Sequence, residues 1–160
     1  MIQEKVVLVN ESDILVFNND TKIESLIKIK PKIAVIAAHP DDEVLGCGAT
    51  LKKLSLKGHE INVLILGEGI TSRDNSRDTR KNKTKLARLK KNCLKATETV
   101  GIKKVTFKAF PDNRFDSVDL LDIIKKIEQF LQEFPSNIVF THHRGDLNID
   151  HQITNRAVLT

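Results

Sequence analysis

The chain alternates between short, mostly apolar runs and longer segments in which apolar residues recur every three or four positions. Short apolar runs are typical of strands that are buried on both faces. Four such runs follow one another: IAVIAA from residue 33, INVLIL from 61, KVTFKAF from 104 and NIVFTHH from 137. Strands separated by helices predict an α/β fold, a Rossmann-like three-layer sandwich around a mostly parallel sheet.

Glycine and proline mark the ends of the predicted helices. Residues 43–57 form one helix that ends at Gly58, and residues 79–100 form a second that ends at Gly101. The third helix ends at Pro135 and has a clear apolar face, made by Leu120, Ile123, Ile124, Ile127, Phe130, Leu131 and Phe134. HQITNRAVLT, from residue 151, begins a fourth helix.

The first thirty residues do not follow this pattern. KVVLVNESDILVFNND, from residue 5, alternates weakly around a polar break at 10–13, which is typical of a hairpin or of two short strands. We therefore divide the chain into an N-terminal extension, residues 1–30, and an α/β domain, residues 31–160. Because the last helical segment lacks a glycine or proline stop, we expect this domain to be incomplete at its C-terminus.

Composition restricts the class of protein. The 160 residues are 40% hydrophobic and 29% charged, as in a globular domain. The apolar runs are too short for a transmembrane segment, and MIQEKVVLVNESD lacks the pattern of a signal peptide, so we expect a cytoplasmic protein. Cys47 and Cys93 have no metal-like or disulfide-like spacing and are interpreted as reduced, buried thiols.

The net charge of +5 is concentrated in RDTRKNKTKLARLKK, residues 77–91. Leu86, Leu89 and Cys93 fall at helical spacing there, so we interpret the lysines as the solvated face of the second helix. No aromatic residue interleaves them, and we expect no nucleic-acid partner.

Polar clusters follow the predicted strands: HPDDE at 39–43, residues 68–78, residues 111–116 and residues 142–151. In a parallel sheet these loops meet at one edge, where ligands bind. His39 and Asp42 lie three residues apart, so both side chains could reach one divalent cation, whose charge would offset the repulsion between adjacent acids. A third ligand is expected from His142, His143 or His151, whereas His59 is expected on the surface.

A nucleotide-binding domain is the alternative. Gly46, Gly48 and Glu68 are spaced as in a dinucleotide-binding motif. Leu51 replaces the third glycine, however, and the acids of HPDDE would repel a pyrophosphate at the helix N-terminus. The glycines are better explained by close packing of helix on sheet. A non-catalytic module that keeps the fold is a further alternative.

The motifs AHPDDEVLGCG, residues 38–48, and GDLNIDH, residues 145–151, resemble the PIG-L/LmbE-like family of zinc-dependent N-deacetylases. The likeness covers residues 32–158 and implies that His39, Asp42 and His151 bind zinc. It also implies that Asp41 is the general base for a metal-bound water that attacks the acetamide carbonyl. Iron(II) is an alternative metal, since two imidazoles and one carboxylate also suit it.

The resemblance further implies an N-acetylated amino-sugar conjugate as substrate. In addition, FPDNRFDS, residues 110–117, resembles loops of members that act on N-acetylglucosamine-type sugars. Asn148 stands where many members have a histidine that stabilises the oxyanion, so either Asn148 or a histidine at 142 or 143 takes that role. Arg73 occupies a substrate-binding position. Asp150, Asp146, Glu43 and His142 are candidates for supporting the metal ligands. The motifs leave the carrier of the sugar and the oligomeric state open.

Overall fold

A computed structural model describes residues 5–10, 13–17 and 30–160. Its strands are β1 (Lys5–Asn10), β2 (Asp13–Phe17), β3 (Ile33–Ala37), β4 (Ile61–Gly67), β5 (Lys104–Phe110) and β6 (Ile138–Thr141). Its helices are α1 (Asp42–Leu56), α2 (Lys83–Val100), α3 (Leu120–Glu133) and α4 (Ile149–Leu159).

The strands form one sheet in the order β2-β1-β6-β3-β4-β5. Strands β3 to β6 run parallel, which confirms the predicted α/β fold with a mostly parallel sheet. Strand β1 pairs antiparallel with β2, with Asn10 opposite Asp13, and also antiparallel with β6. The remainder of the predicted N-terminal extension, residues 1–4, 11–12 and 18–29, lies outside the described residues.

Each face of the sheet is covered by a pair of helices. Residues 33, 35 and 37 of β3 pack on one side with Cys47 and Leu51 of α1 and Val100 of α2. The alternate residues, 34 and 36, pack on the other side with Ile123 and Phe130 of α3. Every residue of β3 and β4 is buried, which explains their continuous apolar runs.

Two local predictions needed correction. Helix α2 begins at Lys83 rather than at Thr79, because residues 78–82 form a turn in which the buried Asn82 side chain donates to the Asp78 carbonyl oxygen. His59 was expected on the surface, but only 5% of it is exposed, and its Nδ1 lies 3.1 Å from the Pro31 carbonyl oxygen. The turn at Gly58, with φ of 82°, returns the chain directly into the sheet and carries this ring inward.

None of the helices in the described part of the chain is both long enough and apolar enough to cross a membrane.

Candidate metal and catalytic site

Two imidazoles and one carboxylate converge at the carboxyl edge of the sheet. His39 follows β3, Asp42 begins α1, and His151 lies in the first turns of α4. Asp42 Oδ2 is 3.5 Å from His39 Nδ1 and 3.3 Å from His151 Nε2. One ligand atom from each of the three residues lies within 4.8 Å of the others. The cluster therefore joins the turn after β3 to the start of α4, although His151 lies 109 positions after Asp42 in the sequence.

The turn between β3 and α1 fixes the position of Asp42. Its Oδ2 accepts a hydrogen bond of 2.8 Å from the backbone N–H of His39, which closes the turn. The positive end of the helix dipole stabilises a carboxylate at this place. Gly67, at the end of β4, gives the turn room: a Cβ there would lie 2.9 Å from the Ala38 carbonyl oxygen and 3.2 Å from His39 Cδ2.

The second ring nitrogen of His39 faces two further carboxylates. His39 Nε2 lies 2.9 Å from Asp150 Oδ2 and 3.3 Å from Asp112 Oδ1. Asp150 is fully buried and also accepts hydrogen bonds from the backbone N–H groups of Asn113 and Phe115. These bonds fix the orientation of the His39 ring: Nε2–H donates to Asp150, and Nδ1 is directed at Asp42.

Asp112 was not singled out by the sequence analysis. It belongs to the FPDNRFDS loop after β5, which the sequence analysis gave as a polar loop at the active edge and as a resemblance to substrate-binding loops of the family, without assigning a role to Asp112. Its Oδ2 accepts a 3.0 Å hydrogen bond from the backbone N–H of Ser72, so it joins two edge loops as well as His39. Only its position at the end of a strand could have indicated this.

His151 is held by an acid and by a second histidine. Its Nδ1 lies 3.1 Å from Asp146 Oδ2, while its Nε2 faces Asp42. The ring stacks on His142 with centroids 3.9 Å apart at 19°. His142 Nε2 accepts a 2.8 Å hydrogen bond from the Ala38 backbone N–H, so that nitrogen carries no proton.

The charges of the cluster follow from these contacts. Burial disfavours protonation of His39, but hydrogen bonds to Asp150 and Asp42 outweigh it and raise its pKa to about 10. Burial would raise the pKa of Asp42, but hydrogen bonds from His151 and His39 bring it below its ordinary value. Burial also opposes the charged form of His151, whose pKa is nevertheless raised by Asp42 and Asp146. Burial lowers the pKa of His142 to about 4, so this ring is neutral at pH 7.

Asp41 has a backbone conformation that few residues adopt. Its φ is 138° and its ψ is −26°, outside the usual regions for a residue other than glycine. Its N–H donates a 3.0 Å hydrogen bond to Glu43 Oε2, and its carbonyl oxygen accepts from the N–H groups of Val44 and Leu45. Burial and the neighbouring Asp42 raise the pKa of the Asp41 carboxyl.

Glu43 is 1% exposed and links this turn to α2. Its Oε2 holds the Asp41 N–H, and its Oε1 accepts a 3.4 Å hydrogen bond from the Cys93 thiol. Burial and the adjacent Glu43 raise the pKa of Cys93 to about 12, so the thiol keeps the proton that it donates. Glu43 therefore acts on the site through the backbone of Asp41.

The other residues singled out from the sequence lie at the same edge but do not belong to the cluster. Asn148 caps α4: its Oδ1 accepts a 2.9 Å hydrogen bond from the Asp150 N–H. Arg73 is exposed in the loop between β4 and α2. Glu68, the acid of the nucleotide-binding alternative, accepts hydrogen bonds from the Arg77 guanidinium and the Thr71 hydroxyl. His143 Nδ1 accepts from the Gly145 N–H.

The donor set suits a divalent metal ion. Two imidazole nitrogens and one carboxylate oxygen are usual zinc ligands, and three protein ligands leave a coordination position open. Each histidine also presents its other ring nitrogen to a carboxylate, as metal-bound histidines commonly do. His39, Asp42 and His151 therefore form a group whose ligand atoms are close enough to hold a metal ion. Two overlapping groups of described residues also meet this distance: His142 with Asp146 and His151, and His39 with Asp112 and Asp150.

We expect metal binding to release protons. At pH 7 the pKa of about 10 keeps His39 protonated in the metal-free protein, and the raised pKa of His151 favours its protonated form, whereas a metal requires an unprotonated nitrogen on each ring. Binding one zinc ion should therefore release at least about one proton, and the apparent affinity should rise at least ~10-fold per pH unit between pH 6 and 8. Calorimetry in two buffers of different ionisation enthalpy measures the release, and an affinity independent of pH would contradict this assignment of charges.

Comparison with known proteins gives the chain a family. The family model described as PIG-L, GlcNAc-PI de-N-acetylase, matches residues 34–160, which include the whole cluster. The chain belongs to the PIG-L family. Among curated relatives of this PIG-L chain, a probable N-acetyl-alpha-D-glucosaminyl L-malate deacetylase 2 from Bacillus cereus is 29% identical over 129 residues. That match covers 79% of the chain and 59% of the relative, so the chain spans about three-fifths of the relative's length.

Solved structures share the fold of this PIG-L chain. The N,N'-diacetylchitobiose deacetylase from Pyrococcus horikoshii superposes with a TM-score of 0.67 at 22% identity, covering 89% of the chain and 58% of that protein. GalB, the 4-carboxy-2-hydroxymuconate hydratase from Pseudomonas putida, superposes with a TM-score of 0.63 at 18% identity, covering 80% and 56%. Because a hydratase and a deacetylase share this architecture, the reaction has to be argued from the site itself.

Proposed function

We propose that the chain carries the catalytic site of a metal-dependent deacetylase that removes the acetyl group from an N-acetylated amino-sugar conjugate of the N-acetylglucosamine type. The observation that carries this proposal is the cluster of His39, Asp42 and His151, in which each histidine is oriented by a carboxylate on its far nitrogen. Family membership supports deacetylation as the reaction class.

Zinc is the metal that we propose, bound by His39 Nδ1, Asp42 and His151 Nε2. A zinc ion held there supplies Lewis-acid polarisation of the acetamide carbonyl and lowers the pKa of water that it binds. Iron(II) suits the same ligands, and elemental analysis of the purified protein distinguishes the two metals.

Asp41 is proposed as the general base. Asp41 is only partly covered at the edge of the cluster, and burial together with the charge of Asp42 raises the pKa of its carboxyl. A pKa above that of an ordinary aspartate brings a carboxylate closer to the operating pH, which makes proton transfer more effective. Asp41 would take a proton from the attacking water and return it to the nitrogen of the leaving amine. The products are a free amine and acetate.

Two residues are proposed to act on the substrate itself. At the start of α4, Asn148 Oδ1 accepts the hydrogen bond from the Asp150 N–H, so the Asn148 Nδ2 group remains as a donor. A donor of this kind suits the stabilisation of a developing oxyanion. His142 supports this region as a neutral ring packed against His151. Arg73, exposed in the loop after β4, is proposed to contact the sugar or its carrier.

The test combines metal content with turnover. We expect about one zinc per chain, loss of activity on chelation, recovery on adding zinc, and release of acetate from an N-acetylglucosamine conjugate. A chain that binds zinc but releases no acetate from any such conjugate would favour the non-catalytic module. Calorimetric binding of NAD or ATP to the chelator-treated protein would favour the nucleotide-binding alternative.

The proposed compartment is the cytoplasm.

Glu43 provides a further prediction within this proposal. Glu43→Leu removes the acceptor for the Asp41 N–H, so the Asp41 backbone is expected to leave its φ of 138° and the base to lose its position. We expect kcat to fall about 10- to 100-fold with KM and metal content little changed, as for other groups that orient a metal site. Glu43→Gln keeps an acceptor for that N–H and should restore most of the rate. Equal losses in both variants would show that Glu43 matters for its charge instead.

A further inference from the structure

Among the four helices, the net positive charge lies on α1 and α2. Residues 77–95 contain nine lysines and arginines and one acid, whereas the whole chain has a net charge of only +5. Helices α1 and α2 together carry eight basic and three acidic residues, while α3 and α4, on the other face of the sheet, carry three and four. Two of the three acids in the first pair are Asp42 and Glu43, which belong to the site. The outer surface of α1 and α2 is therefore strongly basic.

The cations of α2 are exposed and have no described carboxylate partner. Arg88, Lys91 and Lys95 lie three and four residues apart, so they are neighbours on the solvent side of the helix. None of the ion pairs formed between described side chains includes them or Lys83 and Lys85. Lys90 differs, because its ammonium lies 4.7 Å from the centre of the Phe107 ring.

This arrangement does not stabilise the helix. Like charges at these spacings repel each other, and α2 has no acid in its first turn, where Lys83 and Lys85 lie against the positive end of the helix dipole. The same surface would be stabilised by an anionic partner that is broad enough to contact several cations at once.

Exposed leucines on the same layer identify the kind of partner. Leu45 is 71% exposed and Leu56 is 76% exposed on α1, and Leu94 is 42% exposed between Lys91 and Lys95 on α2. The helical spacing places Leu45, Lys52 and Leu56 on the outer side of α1, and Lys52 Nζ reaches α2 at the Thr99 carbonyl oxygen. A nucleic acid would neutralise the cations but leave the leucines in water, whereas a lipid surface accommodates both.

We propose that the outer surface of α1 and α2 binds the surface of an anionic phospholipid bilayer. The lysines and arginines contact the lipid headgroups, and Leu56 and Leu94 enter the interfacial region beside them. Helix α2 begins at the carboxyl edge of the sheet, so the same surface reaches the rim of the metal cluster. This inference does not depend on the proposed reaction.

Vesicle co-sedimentation tests the proposal. We expect the full chain to bind vesicles of 30% phosphatidylserine in phosphatidylcholine at 0.1 M salt, and not vesicles of phosphatidylcholine alone. Replacing Arg88, Lys91 and Lys95 by glutamine should weaken binding about 100-fold, since each cation near such a surface contributes about 1 kcal/mol. The matched control replaces Lys125, Lys126 and Arg156, which are exposed on α3 and α4, and should leave binding unchanged.

A second pair of variants separates lipid from nucleic acid. Leu56→Ser with Leu94→Ser should weaken vesicle binding about tenfold without changing the charge, whereas Leu121→Ser with Leu159→Ser on the other layer should not. The proposal is overturned if the wild-type chain does not bind the anionic vesicles. It is also overturned if the triple glutamine variant on α2 and the control triple variant on α3 and α4 weaken binding equally. If the leucine pair has no effect and duplex DNA binds as tightly as vesicles, the surface is a nucleic-acid site and the lipid assignment is wrong.

Discussion

Asp41→Asn is expected to lower kcat by about 10²- to 10⁴-fold while the protein keeps its full complement of metal, the range usual for loss of a general base. Asparagine has nearly the shape of aspartate and tolerates a positive φ better than most residues, so the turn at φ 138° should persist. The amide cannot accept the proton from water, and the loss should therefore appear in kcat. Acetate release and elemental analysis of the same preparation measure the two quantities.

The pH profile gives an independent signature of Asp41. The wild-type rate should rise with pH through a pKa above that of an ordinary aspartate, because burial and Asp42 disfavour ionisation of Asp41. The rate of Asp41→Asn should lack this rise with pH. Asp122→Asn changes an exposed carboxylate in the first turn of α3, away from the cluster; it is the matched control and should leave the rate unchanged. A fully active Asp41→Asn protein would remove Asp41 from the mechanism.

His151→Ala is expected to abolish activity by weakening metal binding about 1000-fold, as estimated by dividing the binding free energy of a zinc site among its ligands. Only Asp42 and His39 would remain of the proposed ligands, and Asp146 would lose the ring that it orients. Dialysis against a zinc buffer, followed by elemental analysis, measures the loss.

The neighbouring histidine offers a matched control for His151. His143→Ala removes an imidazole from the same edge of the sheet, but its Nδ1 accepts from the Gly145 backbone and lies in no ligand cluster of the described residues. This variant should keep both metal and activity. Retention of a full zinc ion by His151→Ala, or its loss from His143→Ala, would mean that the ligand set is different.

The fold could be predicted because its signals are local. Burial of β3 and β4 on both faces requires the continuous apolar runs seen in the sequence, and the apolar face of α3 has the period of a helix. Gly101 takes φ of 93°, a conformation that glycine adopts without strain, and it ends α2 where predicted. The early start assigned to α2 was wrong because a polar turn at 78–82 has the same composition as a solvated helix.

Parts of the site had no signal in the sequence. Asp112 contacts His39 only because the fold brings the loop after β5 to the turn after β3. The hydrogen bond from the Cys93 thiol to Glu43 likewise joins residues fifty positions apart. The exposure of Leu56 and Leu94 also depends on which helix face packs against the sheet. Such features arise from the placement of elements against each other, which local periodicity does not encode.

The sequence by itself determined that a parallel sheet would place HPDDE and the histidines of 142–151 at one edge. Strands joined by helices run parallel, so the loops that follow them lie at the same edge of the sheet. The polar clusters alone left His142, His143 and His151 open as the third ligand, and only the tertiary structure shows which atoms each of these rings contacts. The start of α4 brings His151 Nε2 to 3.3 Å from Asp42 Oδ2. His142 Nε2 lies 3.6 Å from the same oxygen and accepts a hydrogen bond from the Ala38 N–H, whereas His143 Nδ1 accepts from the Gly145 N–H. The direction of each ring depends on backbone partners that are distant in the chain, and those partners exist only once the sheet has formed.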